Sequence, residues 1–442
     1  MTTAAGPKGV LRLSSLRPEL AVWLVLIGAF LWRVWSVYRA VPAAQVFHDT
    51  DFYLSAAADN GYFSPGLWAG GRSPLTLFVF KCCHSEPERV RHFFLVSSAL
   101  SWLALALAVA RTASSRGVGL LGAALVLWLA VSRDVLSWNH AVLSESLSFS
   151  TGALFAACAL SFLRKPRPWF APFVLSALLF ALSRDSNAYL VLFSGLLWGV
   201  NAVREGLRRK SYLDSALIGG AFLAIFLVSN ASSNHGERWT YPLTNVIVWR
   251  VLPEPTVREQ FVALGMPASR ALRAGRPRRA YDSDRQLSSF RDWVDTHGKS
   301  AYIRYLLGNP RYALAAPLGD TSTLFGERMG RYAPKGIEAA GLWASDLIWL
   351  RSWWSVRFAA VLALGGFVLL RGRSGHSPFA IIGLALTLLT YPHAFIVWHR
   401  DSMEVGRHGL MVALQVELAV LCLLLAAAQA ALSLAKRSVQ AG

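Results

Sequence analysis

The chain has 442 residues, 54% of them hydrophobic and only 16% charged, with a formal net charge of +19. Its mean hydropathy of +0.41 excludes an ordinary soluble globular domain and points to an all-α polytopic membrane protein. The excess positive charge is not a nucleic-acid footprint, because Lys and Arg fall in short clusters between apolar runs, where they set membrane topology.

No nucleic-acid partner is therefore expected. The four cysteines give no disulfide framework: Cys82 and Cys83 are adjacent, while Cys158 and Cys422 lie inside apolar segments.

Crossing about 30 Å of hydrocarbon takes roughly 20 helical residues. The first apolar segment, 19–40, follows Lys8, Arg12 and Arg17 and reads as a retained anchor. Residues 41–90 then form a polar excursion containing Phe47-His48-Asp49-Thr50-Asp51-Phe52-Tyr53, and its apolar run Leu75 to Phe80 is too short to span and is expected in the membrane interface. Further spans are expected near 93–110, 118–132, 143–163, 169–183, 188–203, 215–229, 357–370, 378–398 and 409–435, making ten with the first. The domain reading is an N-terminal transmembrane module, 1–230, whose first external loop is 41–90. An extracytoplasmic segment, 231–355, and a C-terminal transmembrane module, 356–442, follow. Within 231–355 the amphipathic stretches Asn245 to Leu252 and Phe290 to Leu307 predict helices.

Every second loop, counted from the N-terminus, is short and basic, which makes that set cytoplasmic. The complementary loops carry the unusual polar residues: Asp49 and Asp51, then Asp134 and Glu145, then Arg184 and Asp185, then His399 to His408. An Asp-x-Asp pair at a membrane surface suits a proton acceptor, a divalent cation or both, so Asp49 and Asp51 are the candidate catalytic and metal-holding acids. Helix capping by Asp49 or Thr50, with Asn60-Gly61 as a left-handed stop, is the plain alternative for one of them. Glu145 lies inside apolar sequence, where an unpaired carboxylate costs about 2.5–3.5 kcal/mol, so function or pairing with Arg133 or Arg184 is expected of it. The basic groups of the last turn match phosphate oxygens, with lipid headgroup contact as the alternative. No nucleotide-binding motif is present, so a donor at such a face would have to be carried on a lipid.

Asp49 with Tyr53 four residues on, then Gly61, then Arg72-x-Pro74 before an apolar run, resembles the first external loop of GT-C glycosyltransferases. Ser144-Glu145-Ser146, Arg184 and Glu404-x-x-Arg407-His408 are similar to later landmarks of the polyprenyl-phosphate-sugar-dependent branch, of the protein mannosyltransferase and aminoarabinose transferase types. The resemblance implies a GT-C-like bundle in a bacterial cell membrane with its active site on the extracytoplasmic face. It implies inverting transfer of a sugar from a polyprenyl-phosphate donor to a hydroxyl of an acceptor glycan, lipid or protein. Asp49 aligns with the usual catalytic acid, and the role of Asp51 is left open, because relatives place two acids side by side. Donor-phosphate binding then falls to Arg407, His408 and Arg184, and substrate contact to Tyr53, Arg72, Glu145 and Glu404. A divalent cation, Mg or Mn, is the one cofactor the acids would suit. A lipid or glycolipid transporter is the competing class, and an outer-face ligase or acyltransferase a third; transporters, however, favour sites near the bilayer midplane, and here the polar groups crowd one face.

Overall fold

The computed structural model describes residues 17–206, 212–268, 288–326, 332, 334–336, 353–370 and 377–441. These are almost wholly helical: α1 (Arg17–Ala40), α2 (His48–Asp59), α3 (Pro65–Ala69), α4 (Pro74–Cys82), α5 (Pro87–Thr112), α6 (Arg116–Ala130) and α7 (Arg133–Trp138) come first. They are followed by α8 (Glu145–Arg164), α9 (Pro166–Ser183), α10 (Asp185–Gly206), α11 (Tyr212–His235), α12 (Thr240–Val246), α13 (Pro255–Ala263) and α14 (Ser288–Trp293). The last are α15 (Lys299–Gly308), α16 (Pro310–Gly319), α17 (Thr321–Gly326), α18 (Trp353–Leu370), α19 (Pro378–Arg400) and α20 (Val405–Ala441).

Local chemistry sets many of these boundaries. Pro87, Pro166, Pro255, Pro310 and Pro378 each open a helix, where the missing N–H costs nothing and the fixed φ is already helical. Ser132 caps α7 by accepting from the Val135 N–H at 3.4 Å, and Ser115 caps α6 by accepting from Val118 at 3.3 Å.

Each apolar segment expected to span is helical, as α1, α5, α6, α8 to α11 and α18 to α20. Among the described residues, seven helices are long and apolar enough to cross a membrane, namely α1, α5, α8, α10, α11, α19 and α20. The count of ten is therefore supported to seven, with α6, α9 and α18 outside that set. Lys8, Arg12 and the basic runs within 207–211 and 371–376 lie outside the described residues.

The centre of the bundle is α20, buried almost without interruption from Leu410 to Leu423 and packed against α19 and α18, with α6 touching it further along. On the other side α8 packs between α5 and α9. The apolar run Leu75 to Phe80, expected in the interface, forms part of α4 instead. Leu77 and Phe80 are fully buried there, and α4 packs against α2 and α9, so the run belongs to the core.

Both helices predicted between 240 and 308 are present, each with a π-helical turn inserted: Ile247–Val251 after α12 and Val294–Gly298 between α14 and α15. A π turn advances the register by a residue and re-aims the apolar side chains that follow. The result is a small aromatic core of its own, with Val246, Ile247, Phe261, Phe290, Trp293, Tyr302 and Tyr305 buried together.

Candidate active site

The Asp49 segment is held by backbone pairing that its own sequence does not announce. Gln45 donates its N–H to the His140 carbonyl at 2.8 Å and accepts from the Val142 N–H at 3.0 Å, forming a short parallel bridge with the chain entering α8. Thr50 reinforces this contact: its hydroxyl donates to the Val142 carbonyl at 2.9 Å and accepts from the Phe47 N–H at 3.0 Å. Thr50 is thus the third-position arm of the cap, not the cap itself, and α2 starts at His48, with Phe47 in the cap position expected of Asp49 or Thr50. Asn60 is extended, with φ −103° and ψ 139°, so the expected left-handed stop is absent.

Asp49 and Asp51 both sit in the first turn of α2, where a carboxylate favours the positive end of the helix dipole. Two positions along a helix, however, are roughly 200° apart around it. Asp49 turns into the bundle and Asp51 is exposed. The pair therefore does not converge on one cation, and no group of three His, Cys, Asp or Glu suited to a metal ion occurs among the described residues.

Asp49 meets Arg407, from the first turn of α20, at 2.9 Å. The same guanidinium bonds Glu145 through Nε, Glu404 at 2.7 Å and the Tyr332 hydroxyl at 3.2 Å. Glu145 opens α8, is 1% exposed, and also receives Arg184 at 2.9 Å. Tyr332 donates its hydroxyl to Glu404 and packs against Phe47 and Trp138. Three carboxylates thus face two guanidiniums, so each buried charge has an opposite partner while one negative charge is in excess. Glu145 Oε2 is buried and unpaired, while Arg407 Nη2 makes no hydrogen bond among the described residues. Asp49 remains the accessible member, its side chain 31% exposed.

Arg184 reaches Glu145 because it is the one residue between α9 and α10, in an extended conformation that points it away from its neighbour. Below it, Asn187 donates to Ser148 at 2.7 Å and to Ser183 at 3.1 Å, and Thr151 bonds Ser183 at 3.3 Å, tying α8, α9 and α10 together. Asp185 points elsewhere, to Arg400 at 2.6 Å and Arg238 at 3.1 Å. Arg238 in turn donates to the carbonyls of Gly70 at 2.9 Å and Arg72 at 3.0 Å, which pins the first loop to the end of α11. The Arg184-Asp185 turn, readable as a solvated corner, is instead divided between two ion-pair hubs.

The last turn is also more committed than its basic composition suggested. His399 donates from Nε2 to the Ala313 carbonyl at 2.8 Å, and its Nδ1 is hydrogen-bonded to the Tyr302 hydroxyl at 2.8 Å. Asp401 accepts from Asn245 at 3.1 Å and from the Met403 N–H at 2.9 Å, and burial pushes its carboxyl above the ordinary range, with Glu404 adding to the rise. His408, half-buried, has Arg184, Arg400 and Arg407 as electrostatic neighbours, and its side chain makes no hydrogen bond among the described residues.

The structure thus brings together Asp49, Glu145, Arg184, Glu404 and Arg407, with His408 alongside. Arg72 lies over the rings of Phe52 and Tyr53, 5.4 and 5.1 Å from their centroids, with no ion-pair partner among the described residues. Tyr53 is itself buried against Phe80 beneath that guanidinium, whereas Phe52, Tyr62, Phe63 and Trp68 are the exposed aromatic residues of this loop. Sequence reasoning missed Tyr332 and Arg238, both within the segment 231–355. His140, at the entry to α8, is buried, and that burial together with its neighbour Arg91 lowers its pKa to about 3. No family model matches the chain, and no characterised protein is significantly similar to it.

Proposed function

We propose that the protein is a membrane glycosyltransferase that moves a sugar from a polyprenyl-phosphate donor to an acceptor hydroxyl with inversion, at the membrane face where α8, α10 and α20 begin. The observation that carries this reading is the Asp49–Arg407–Glu145–Arg184 cluster, in which a part-exposed carboxylate is held by an arginine that a buried glutamate shares with a second one. In the proposed reaction Asp49 takes the proton of the acceptor hydroxyl as that oxygen attacks C1 of the sugar. The bond from C1 to the phosphate oxygen breaks, and the electron pair leaves on the lipid phosphate.

Arg407 Nη2, His408 and Arg184 are the donors at hand to meet the charge that builds on this phosphate. Because Arg407 already holds Asp49, an arriving phosphate competes with the carboxylate for the guanidinium. Binding of the donor thereby releases the base that the reaction needs. Glu145 keeps Arg407 and Arg184 charged and oriented throughout. The clustering of these charges at one end of the bundle, not at its middle, supports a transferase over a transporter.

The test is incubation of the purified protein with a panel of polyprenyl-phosphate sugars, reading release of polyprenyl phosphate. At least one donor should be consumed, and Asp49→Asn should lower that release by about 10²–10⁴-fold, the usual contribution of a general base, while expression and insertion persist. Full activity in Asp49→Asn rejects the base assignment. Lipid movement across proteoliposomes without donor cleavage rejects the transferase.

A further inference from the structure

Away from their aromatic core, α15 and α16 turn an apolar face outward. Ile303 and Leu307 on α15 are 49% and 76% exposed, and Leu314 and Leu318 on α16 are 55% and 50% exposed. Each pair is spaced i, i+4 and so shares one helix face. Arg304 and Arg311 stand beside them, exposed and, among the described residues, without an ion-pair partner. A helix covering a water-soluble domain shows the reverse pattern, with its charged face outward and its leucines inward.

The position of this hairpin is fixed by α19. Tyr391 donates its hydroxyl to the Leu314 carbonyl at 2.6 Å, next to the bond between His399 and Ala313. Tyr391 lies about two and a half turns, roughly 13 Å, before the end of a helix long and apolar enough to cross a membrane. The outward face of α19 is itself apolar on this stretch, with Leu388 56% exposed. The leucines of α16 therefore adjoin a lipid-facing surface. The end of α15 and the first turns of α16, from Gly308 to Ala316 and including Arg311, line a shallow open depression beside them.

We infer that the α15–α16 hairpin dips into the leaflet adjoining the candidate active site and binds an anionic phospholipid of the bilayer. Its acyl chains lie on Leu307, Leu314 and Leu318, and its phosphate is held by Arg304 and Arg311. Exposed leucines flanked by uncompensated arginines match the two chemistries of such a lipid. A second copy of the chain is a poorer occupant, because a two-fold contact through this face would bring the arginines of both copies into one apolar interface.

The experiment places a nitroxide on Leu314→Cys in a Cys82→Ser background, which removes the exposed native thiol, with the full chain in nanodiscs of phosphatidylglycerol and phosphatidylcholine. Collisions of the label with oxygen should exceed those with a water-soluble nickel chelate. Native mass spectrometry should show retained phosphatidylglycerol falling about fivefold for each of Arg304→Gln and Arg311→Gln, as expected for about 1 kcal/mol per basic residue at an anionic surface. Greater access of the nickel chelate, spin–spin broadening from a second copy, or phosphatidylglycerol retention unchanged by both substitutions would overturn the inference.

Discussion

At the scale of single residues, carboxylates of this chain differ by whether a cation accompanies them into the interior. Glu145 and Asp185 are each met by two arginines, so their charge is stabilised where it stands. Asp401 is 4% exposed yet has an amide and a backbone N–H as its partners, and burial accordingly raises its pKa above the ordinary 3.8. A raised carboxyl pKa means that the folded state binds the proton more tightly than the unfolded chain does. The associated stability is full below the unfolded value and is lost as pH rises through the folded one. Asp401→Asn keeps an oxygen for both donors and has no charge to form. Its thermal midpoint should therefore exceed that of the native protein near about pH 7, and the difference should vanish as the pH falls below about 4. Thermal unfolding in detergent at a series of pH values measures this directly. A lower midpoint for the variant across the whole range would show that the ionised carboxylate stabilises the turn.

At the scale of elements, the part of the first loop around Gly70 is fastened to the end of α11 by a close glycine approach, by Arg238 and by Ser232, whose hydroxyl donates to the Trp68 carbonyl. A Cβ on Gly236 would fall 2.0 Å from the Gly70 carbonyl oxygen and 2.8 Å from that of Ala69, and both obstacles are backbone that cannot swing aside. The loop sits this close because Arg238, two residues on, grips the Gly70 and Arg72 carbonyls. Gly236→Ala should therefore push the loop off the end of α11, costing about 1–3 kcal/mol as overpacking generally does. Limited proteolysis should find new cleavage between residues 60 and 73, while the helices beneath remain protected. Proteolysis identical to the native pattern would mean that the loop is held by other contacts. The same elements show what a sequence can convey. Helix positions were legible because hydropathy alone locates apolar segments, and Glu145 was legible because a charge inside such a segment demands a partner. Arg238 and Tyr332 were not, since nothing in the local pattern of 231–355 separates an arginine that grips a distant carbonyl from one that faces water. Thr50 was misread for a related reason: capping statistics see its neighbours in the chain, whereas its hydroxyl is spent on Val142, on the far side of α5 to α7 in sequence.

For the molecule as a whole, Arg407 closes the chain on itself. Its guanidinium joins the loop after the first helix, the start of α8 and the first turn of the last helix. Around it the backbones are drawn tight: a Cβ on Gly409 would meet the Leu324 carbonyl oxygen at 2.1 Å, so α17 lies directly on the start of α20. Losing the guanidinium would leave Glu145 buried with Arg184 alone, and breaking a buried charge pair on one side costs about 3–5 kcal/mol. Removing the excess carboxylate at the same time should recover part of that loss, because much of the penalty is the charge left behind. Arg407→Met should thus lower the thermal midpoint sharply, Glu145→Gln less so, and the double variant should unfold above Arg407→Met. A double-mutant cycle on thermal unfolding gives the coupling, expected between about 0.5 and 3 kcal/mol for residues in one network. Strict additivity would mean that the two side chains stabilise the bundle independently. Asp49→Asn, by contrast, should barely move the midpoint, since Asp49 is part-exposed and Arg407 retains Glu145 and Glu404. That separation distinguishes the group placed to take a proton from the one that holds the first and last helices of the chain together.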